Sequence, residues 1–178
     1  PHLLRLEARI RTADGREVTL ASDSAWKWTD GPLTFSHIYA GEDFDARQVQ
    51  NGWDLPGFDD RGWKSVGIAP SPGASVEPFT GPPMQAFEVF APTSIKSPGA
   101  GEFTYVFPQT CSALLRFTVA GPAGKRVRFK PCEFMDSTGQ VKFTYTWGTN
   151  KDIWHDYTLR GGGTESHQIL FCYVGCQY

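Results

Sequence analysis

The sequence predicts an all-β chain made of two antiparallel β-sandwich modules of jelly-roll type. Nineteen glycines and thirteen prolines interrupt the 178 residues, and the short runs between them are rich in Val, Phe, Tyr, Thr and Trp, residues that suit a pleated, half-buried surface. No segment carries a convincing amphipathic helical period. Many short strands separated by turn signals at this spacing point to sandwiches.

Residues 3–11 alternate Leu4, Leu6, Ala8, Ile10 against Arg5, Glu7, Arg9, Arg11, which predicts a strand with one buried and one wet face. Ala13-Asp14-Gly15-Arg16 then forms a tight hairpin into a strand over 17–22. Residues 22–28 read as a side-chain-capped turn entering a strand that carries Trp26 and Trp28, one of them expected in the core. A composition break at 70–83, containing Pro70, Pro72, Gly73, Pro78, Gly81, Pro82 and Pro83, is the expected linker. It divides the chain into a module over 1–91 and another over 92–178. In the second, strands are predicted at 88–92, 103–107, 113–120, 126–131, 141–146, 153–160 and 168–178. The turns are Gly121-Pro122-Ala123-Gly124, Asp136-Ser137-Thr138-Gly139 and Gly161-Gly162-Gly163. The final run ends in mid-strand without a polar cap, which predicts a piece of a longer polypeptide.

A formal net charge of -2 provides no electrostatic footprint for nucleic acid or an anionic membrane. No apolar run approaches a membrane span, and the first residues lack the basic end and apolar centre of a signal peptide. Cys111, Cys132, Cys172 and Cys176 show no paired metal-ligand spacing. Cys172 and Cys176 lie too far apart along one strand-like run to bridge each other. We read them as mainly buried thiols, with a disulfide between strands as the alternative. The histidines are scattered, so no zinc site is expected, and His155-Asp156 reads as an exposed polar strand end.

The candidate site lies between Gly41 and Trp63, where carboxylates, arginines and two tryptophans crowd between glycines. That composition suits a polyhydroxylated ligand better than a core. As a strand, 41–47 places Asp43, Asp45 and Arg47 on one face and Glu42, Phe44 and Ala46 on the other. The carbohydrate-binding candidates are Glu42, Asp43, Asp45, Arg47, Asn51, Trp53 and Asp54. In this reading Glu42 is a ligand reached past its glycine neighbour, and Trp53 stacks on a deoxysugar. Asp45 and Arg47 could equally form an internal ion pair. Asp59 and Asp60, adjacent in a turn, cannot face each other across a glycosidic bond at the roughly 5–9 Å that hydrolysis needs. One of them is expected to cap the turn, with Trp63 packed beneath it. No catalytic residue is expected in this chain.

Ser22-Asp23-Ser24-Ala25-Trp26-Lys27 with Gly31-Pro32, then residues 38–47, then Gly52-Trp53-Asp54-Leu55-Pro56-Gly57-Phe58-Asp59-Asp60 with Trp63, resemble the second half of the amino-terminal β-sandwich of bacterial-type α-L-rhamnosidases. Residues 119–124, Asp156-Tyr157-Thr158-Leu159-Arg160-Gly161-Gly162-Gly163 and Phe171-Cys172-Tyr173-Val174-Gly175 resemble the concanavalin-like β-sandwich that follows it. The resemblance implies a non-catalytic portion of an enzyme that removes terminal α-L-rhamnose from glycans with inversion. The catalytic carboxylates would lie in an (α/α)6 barrel after the last residue here, and the first half of the sandwich before Leu3. It implies a rhamnose-containing glycan and that catalytic domain as partners, and a secreted or periplasmic location. Some members bind rhamnose through calcium, which implies carbonyl ligands at Asn51 and Pro56. The alternatives are an autonomous carbohydrate-binding module or lectin, and a purely structural spacer.

Overall fold

A computed structural model describes residues 3–71, 73–75, 77–78, 80–142 and 151–178. The strands among them are β1 (Glu7–Arg11), β2 (Glu17–Ala21), β3 (Lys27–Trp28), β4 (Leu33–His37), β5 (Gly41–Asp45), β6 (Lys64–Ser65) and β7 (Ser94–Gly99). They continue with β8 (Glu102–Val106), β9 (Cys111–Ala113), β10 (Arg116–Ala120), β11 (Arg126–Phe129), β12 (His155–Thr158), β13 (Thr164–Gln168) and β14 (Val174–Cys176). The helical content among described residues is one 3-10 turn, Ala46–Gln48, so the chain is all-β as expected. Among the described residues no helix is long and apolar enough to cross a membrane.

The chain folds into two compact units: residues 1–30 with 51–85, and residues 31–50 with 86–178. The linear division at 91/92 follows the linker, whereas packing places 31–50 with the second unit, because β5 pairs with β12.

In the first unit, β1 and β2 form the expected hairpin, with Glu7 opposite Ala21 and Arg11 opposite Glu17. Its reversal is closed by the Gly15 N–H donating to the Thr12 carbonyl at 2.9 Å, with Gly15 at φ +84°. The alternating face is not buried, however: Leu4 is 70% and Ile10 45% exposed. A two-stranded ribbon has no second layer to cover it among the described residues. Asp23 caps the next turn as expected, accepting from the Ala25 N–H at 2.8 Å. Neither Trp26 nor Trp28 enters a core. Both stay partly exposed, and the Lys64 ammonium lies 4.6 Å from the Trp28 ring centre.

The second unit is built on a four-stranded sheet of order β11-β12-β5-β4. β5 runs antiparallel to β4 but parallel to β12, pairing Asp43 with Asp156, Phe44 with Tyr157 and Asp45 with Thr158. One face of this sheet carries Phe44, Ala46, Val127, Phe129, Tyr157 and Leu159, which pack with Phe117 and Val119 of β10. Phe44 stacks on Tyr157 at 5.7 Å and Phe117 on Phe129 at 4.1 Å. Complete burial of such a ring contributes about 1.5–3 kcal/mol, so the partly buried Phe44, Phe117 and Phe129 each contribute less.

Several strand assignments differ from expectation: β4 and β7 were not predicted, and of the run 168–178 only Val174–Cys176 forms β14, Gln168 ending β13. Residues 88–92 form no strand; Pro92 has no N–H to give a ladder, which begins with the Thr93 N–H donating to the Val106 carbonyl at 2.7 Å. The run 113–120 divides between β9 and β10, which pair with different partners, β14 and β13. β13 was not expected, since Thr-Glu-Ser-His-Gln carries little apolar signal, yet it pairs along its whole length with β10. The predicted strand at 141–146 falls mostly outside the described residues, with Val141 in an isolated bridge to Met135.

Candidate functional site

β5 sends alternate side chains to opposite faces of its sheet, and its two faces do different work. Glu42, on the inner face, is completely buried. Its Oε2 accepts the Leu170 and Phe171 N–H groups at 3.1 and 2.9 Å, and its Oε1 faces His167 Nε2 at 3.6 Å. Burial pushes this carboxyl up, but His167 and the two amides together hold it below its ordinary range. The sugar-ligand reading of Glu42 therefore gives way to a structural one, in which the carboxylate anchors the 169–171 segment. Gly41 is likewise explained from within. A side chain there would collide with the Trp154 backbone, standing 2.7 Å from its carbonyl carbon.

The outer face is a lattice of charge and aromatic rings. Lys151 donates to Asp43 at 2.7 Å while lying 4.3 Å from the Phe35 ring centre and 5.2 Å from that of Trp154. Arg128 grips Asp156 with two bonds of 2.8 Å and lies 4.0 Å from the Trp154 ring centre. Asp45 caps the 3-10 turn by accepting the Arg47 N–H at 3.1 Å, and it pairs with the Arg47 guanidinium at 2.9 and 2.7 Å. Arg47 holds the Asp45 pKa at about 2. The internal ion pair is thus the arrangement present. Sequence reasoning did not place Arg128, Lys151, Trp154 or Asp156 at this site, because only the parallel β5–β12 pairing brings them beside Asp43.

His155 and Asp156 are not an exposed strand end. Both are buried, since β12 is central in its sheet. His155 Nδ1 accepts the Glu42 N–H at 3.1 Å. Burial pushes the His155 pKa down to about 4, so the ring is neutral at ordinary pH.

Asn51, Trp53, Asp54 and Pro56 lie in the first unit and are exposed, with Trp53 at 62%. Glu42, Asp43, Asp45 and Arg47 belong to the second unit. Gly52 and Gly57 take positive φ, and the Leu55 N–H donates to the Gly52 carbonyl at 2.9 Å, which turns the loop and leaves Trp53 outward. Asp59 caps as expected, accepting the Arg61 N–H at 3.2 Å, and Trp63 packs on Phe58 at 5.7 Å. Calcium takes about six to eight oxygen ligands. Among the described residues no group of three or more acidic, His or Cys side chains converges to hold a metal. The two carbonyls at Asn51 and Pro56 do not by themselves form such a shell.

At the end of β12, Gly161, Gly162 and Gly163 reverse the chain with positive φ. Glu165 secures the reversal by accepting from the Arg160 and Gly161 N–H groups at 3.0 and 2.9 Å and from the Tyr157 hydroxyl at 3.0 Å. An open cleft of about 340 Å³ lies over this turn.

Antiparallel ribbons and a mixed central sheet, with carboxylates held by amides and cations, define an all-β protein of sandwich modules. Residues 1–88 match the α-L-rhamnosidase N-terminal domain, and residues 96–178 match the bacterial α-L-rhamnosidase concanavalin-like domain. The chain belongs to the bacterial α-L-rhamnosidase family and corresponds to an amino-terminal portion of it. It is 32% identical over 178 residues to an α-L-rhamnosidase of Streptomyces avermitilis, covering 98% of this chain and 17% of that protein. The structure of α-L-rhamnosidase from Dictyoglumus thermophilum superposes with a TM-score of 0.85 at 28% identity, covering 97% of this chain and 19% of that one. The Streptomyces avermitilis enzyme complexed with L-rhamnose gives a TM-score of 0.81 at 30% identity, over 96% of this chain and 16% of that one. The chain thus spans about a fifth of the length of the relatives it matches.

Proposed function

We propose that this chain is the non-catalytic β-sandwich portion of an α-L-rhamnosidase acting on terminal α-L-rhamnose of glycans, and that it supports the catalytic domain of the parent protein. The supporting observation is the ordered pair of family matches across nearly the whole chain, joined to a fold shared with solved α-L-rhamnosidases. The chemistry agrees. Inverting hydrolysis needs an acid and a base about 6.5–9.5 Å apart across the sugar. Here Asp43, Asp45, Asp59 and Asp156 each hold a cation, and Glu42 is enclosed. Turnover of an aryl α-L-rhamnoside by the purified chain, lost on mutating one of its own carboxylates, would refute this.

The loop of Asn51, Trp53 and Asp54 is the place where the chain could meet rhamnose, because it presents an exposed indole beside amide and carboxylate groups. Calorimetry with L-rhamnose tests it. Trp53→Ala is expected to lose about 1–3 kcal/mol of binding through lost apolar contact while the fold is kept. Trp63→Ala should act on stability instead, because it packs on Phe58. Unchanged affinity in a folded Trp53→Ala protein removes the loop. A chelator control separates binding through calcium from direct contact.

A further inference from the structure

The fold brings two distant cysteines face to face. β9 and β14 pair antiparallel with Cys176 directly opposite Cys111, Gly175 opposite Ser112 and Val174 opposite Ala113. Directly opposed residues have Cα atoms about 4.5 Å apart at one kind of antiparallel position and about 5.5 Å at the other. Both values fall inside the roughly 4.4–6.8 Å that a disulfide spans. The two side chains leave the ribbon on the same face with Cβ atoms about 4.5–5.5 Å apart, so a small local closure completes the geometry.

The other two thiols are committed elsewhere. Cys132 is buried, and its Sγ lies 3.1 Å from the Phe134 carbonyl and 3.2 Å from that of Lys142. Cys172 is buried, with its Sγ directed at the Ile38 carbonyl at 3.6 Å. Cys111 and Cys176 are only half-buried, which leaves them open to a small reagent. We propose that Cys111 and Cys176 form an oxidation site, closing to a cross-strand disulfide that locks the register of β9 and β14.

The oxidant is a small disulfide such as oxidised glutathione. The Cys111 thiolate attacks one of its sulfurs, the S–S bond breaks, and one glutathione departs and takes a proton. Cys176 then gives up its proton and attacks the Cys111 sulfur of the mixed disulfide, releasing the second glutathione. The protein loses two electrons and two protons, and the glutathione pair gains them. This order follows from the environment: burial, with Cys111, Glu133 and Cys132 nearby, pushes the Cys176 thiol up to about 11. Cys176 therefore ionises less readily than an ordinary thiol and is the resolving partner.

The purified chain, incubated with oxidised glutathione, is alkylated in denaturant, cleaved after Arg116, Arg160 and Tyr173 to place each of the four cysteines on its own peptide, and mapped by mass spectrometry. The expected result is a Cys111 peptide joined to a Cys176 peptide and lighter than the pair by two hydrogens, with Cys132 and Cys172 alkylated. Cys176→Ser should instead retain glutathione on Cys111. Recovery of Cys111 and Cys176 as alkylated thiols or as separate glutathione adducts overturns the proposal, as does linkage of either to Cys132 or Cys172. The wild-type map decides the matter even if a variant fails to fold.

Discussion

Gly41→Ala puts the close approach of β5 to β12 under test. Gly41 sits at φ +85°, and an added Cβ would stand 2.7 Å from the Trp154 carbonyl carbon and 3.2 Å from its nitrogen. These are backbone atoms, so no side chain can swing aside. A non-glycine residue in the left-handed region costs about 1–2 kcal/mol, and forcing packed elements apart costs a further 1–3 kcal/mol or so. The expected loss is about 2–5 kcal/mol, a large share of ordinary domain stability. Gly162→Ala is the matched control, because Gly162 has φ +88° in the same unit and nothing within 4 Å of a built Cβ. It should show only the backbone part, about 1–2 kcal/mol. Urea unfolding compares the two, with hydrogen exchange at the Leu159 amide, which donates to the Lys125 carbonyl at 2.9 Å, as a local probe of the second unit. Equal destabilisation by the two substitutions would refute the reasoning, since it would mean that β5 can withdraw from Trp154 without cost.

Stability should fall on mild acidification because of His155. Its pKa in the fold is about 4 against 6.5 for the ordinary side chain, so between those values the unfolded chain binds a proton that the folded one does not. Up to about 3 kcal/mol is lost as pH falls through that window, and the loss levels off below it. The neighbours Glu42 and Asp156, whose carboxyls are held low, add their losses at lower pH. His155→Asn should flatten the slope of urea midpoints between pH 6.5 and 4.5, and an unchanged slope would assign it to another group. Glu165→Ala removes the acceptor for the Arg160 and Gly161 amides and the Tyr157 hydroxyl, with an expected cost of about 1–3 kcal/mol. Burial and Glu165 together push the Tyr157 pKa up to about 12. Ultraviolet titration should therefore find the phenol ionising closer to its ordinary value in the variant, and no movement would dissociate the two groups.

The sequence by itself determined what depends on a few neighbouring residues. The β1–β2 hairpin, the Asp23 and Asp59 caps and the alternation of Asp43 and Asp45 against Glu42 and Phe44 were all readable, because turn chemistry and pleat period act within a handful of positions. The ordered motifs likewise marked the family. Tertiary structure alone decided which side chains meet. Asp43 finds Lys151 across 108 positions beside the parallel β5–β12 pairing, and Glu42 reaches the Phe171 amide, in the segment after β13, across 129. The packing of His167 and the Leu170 and Phe171 amides turned Glu42 from a candidate ligand into a buried anchor, while the approach of 154–155 gave Gly41 its close contact and enclosed His155. β13 was invisible for a related reason: its polar residues are held by ladder bonds to β10 rather than by apolar pattern. Burial is a property of the partner surface as much as of the strand. That is why the apolar face of β1 reads as core in sequence and stands exposed in a two-stranded ribbon.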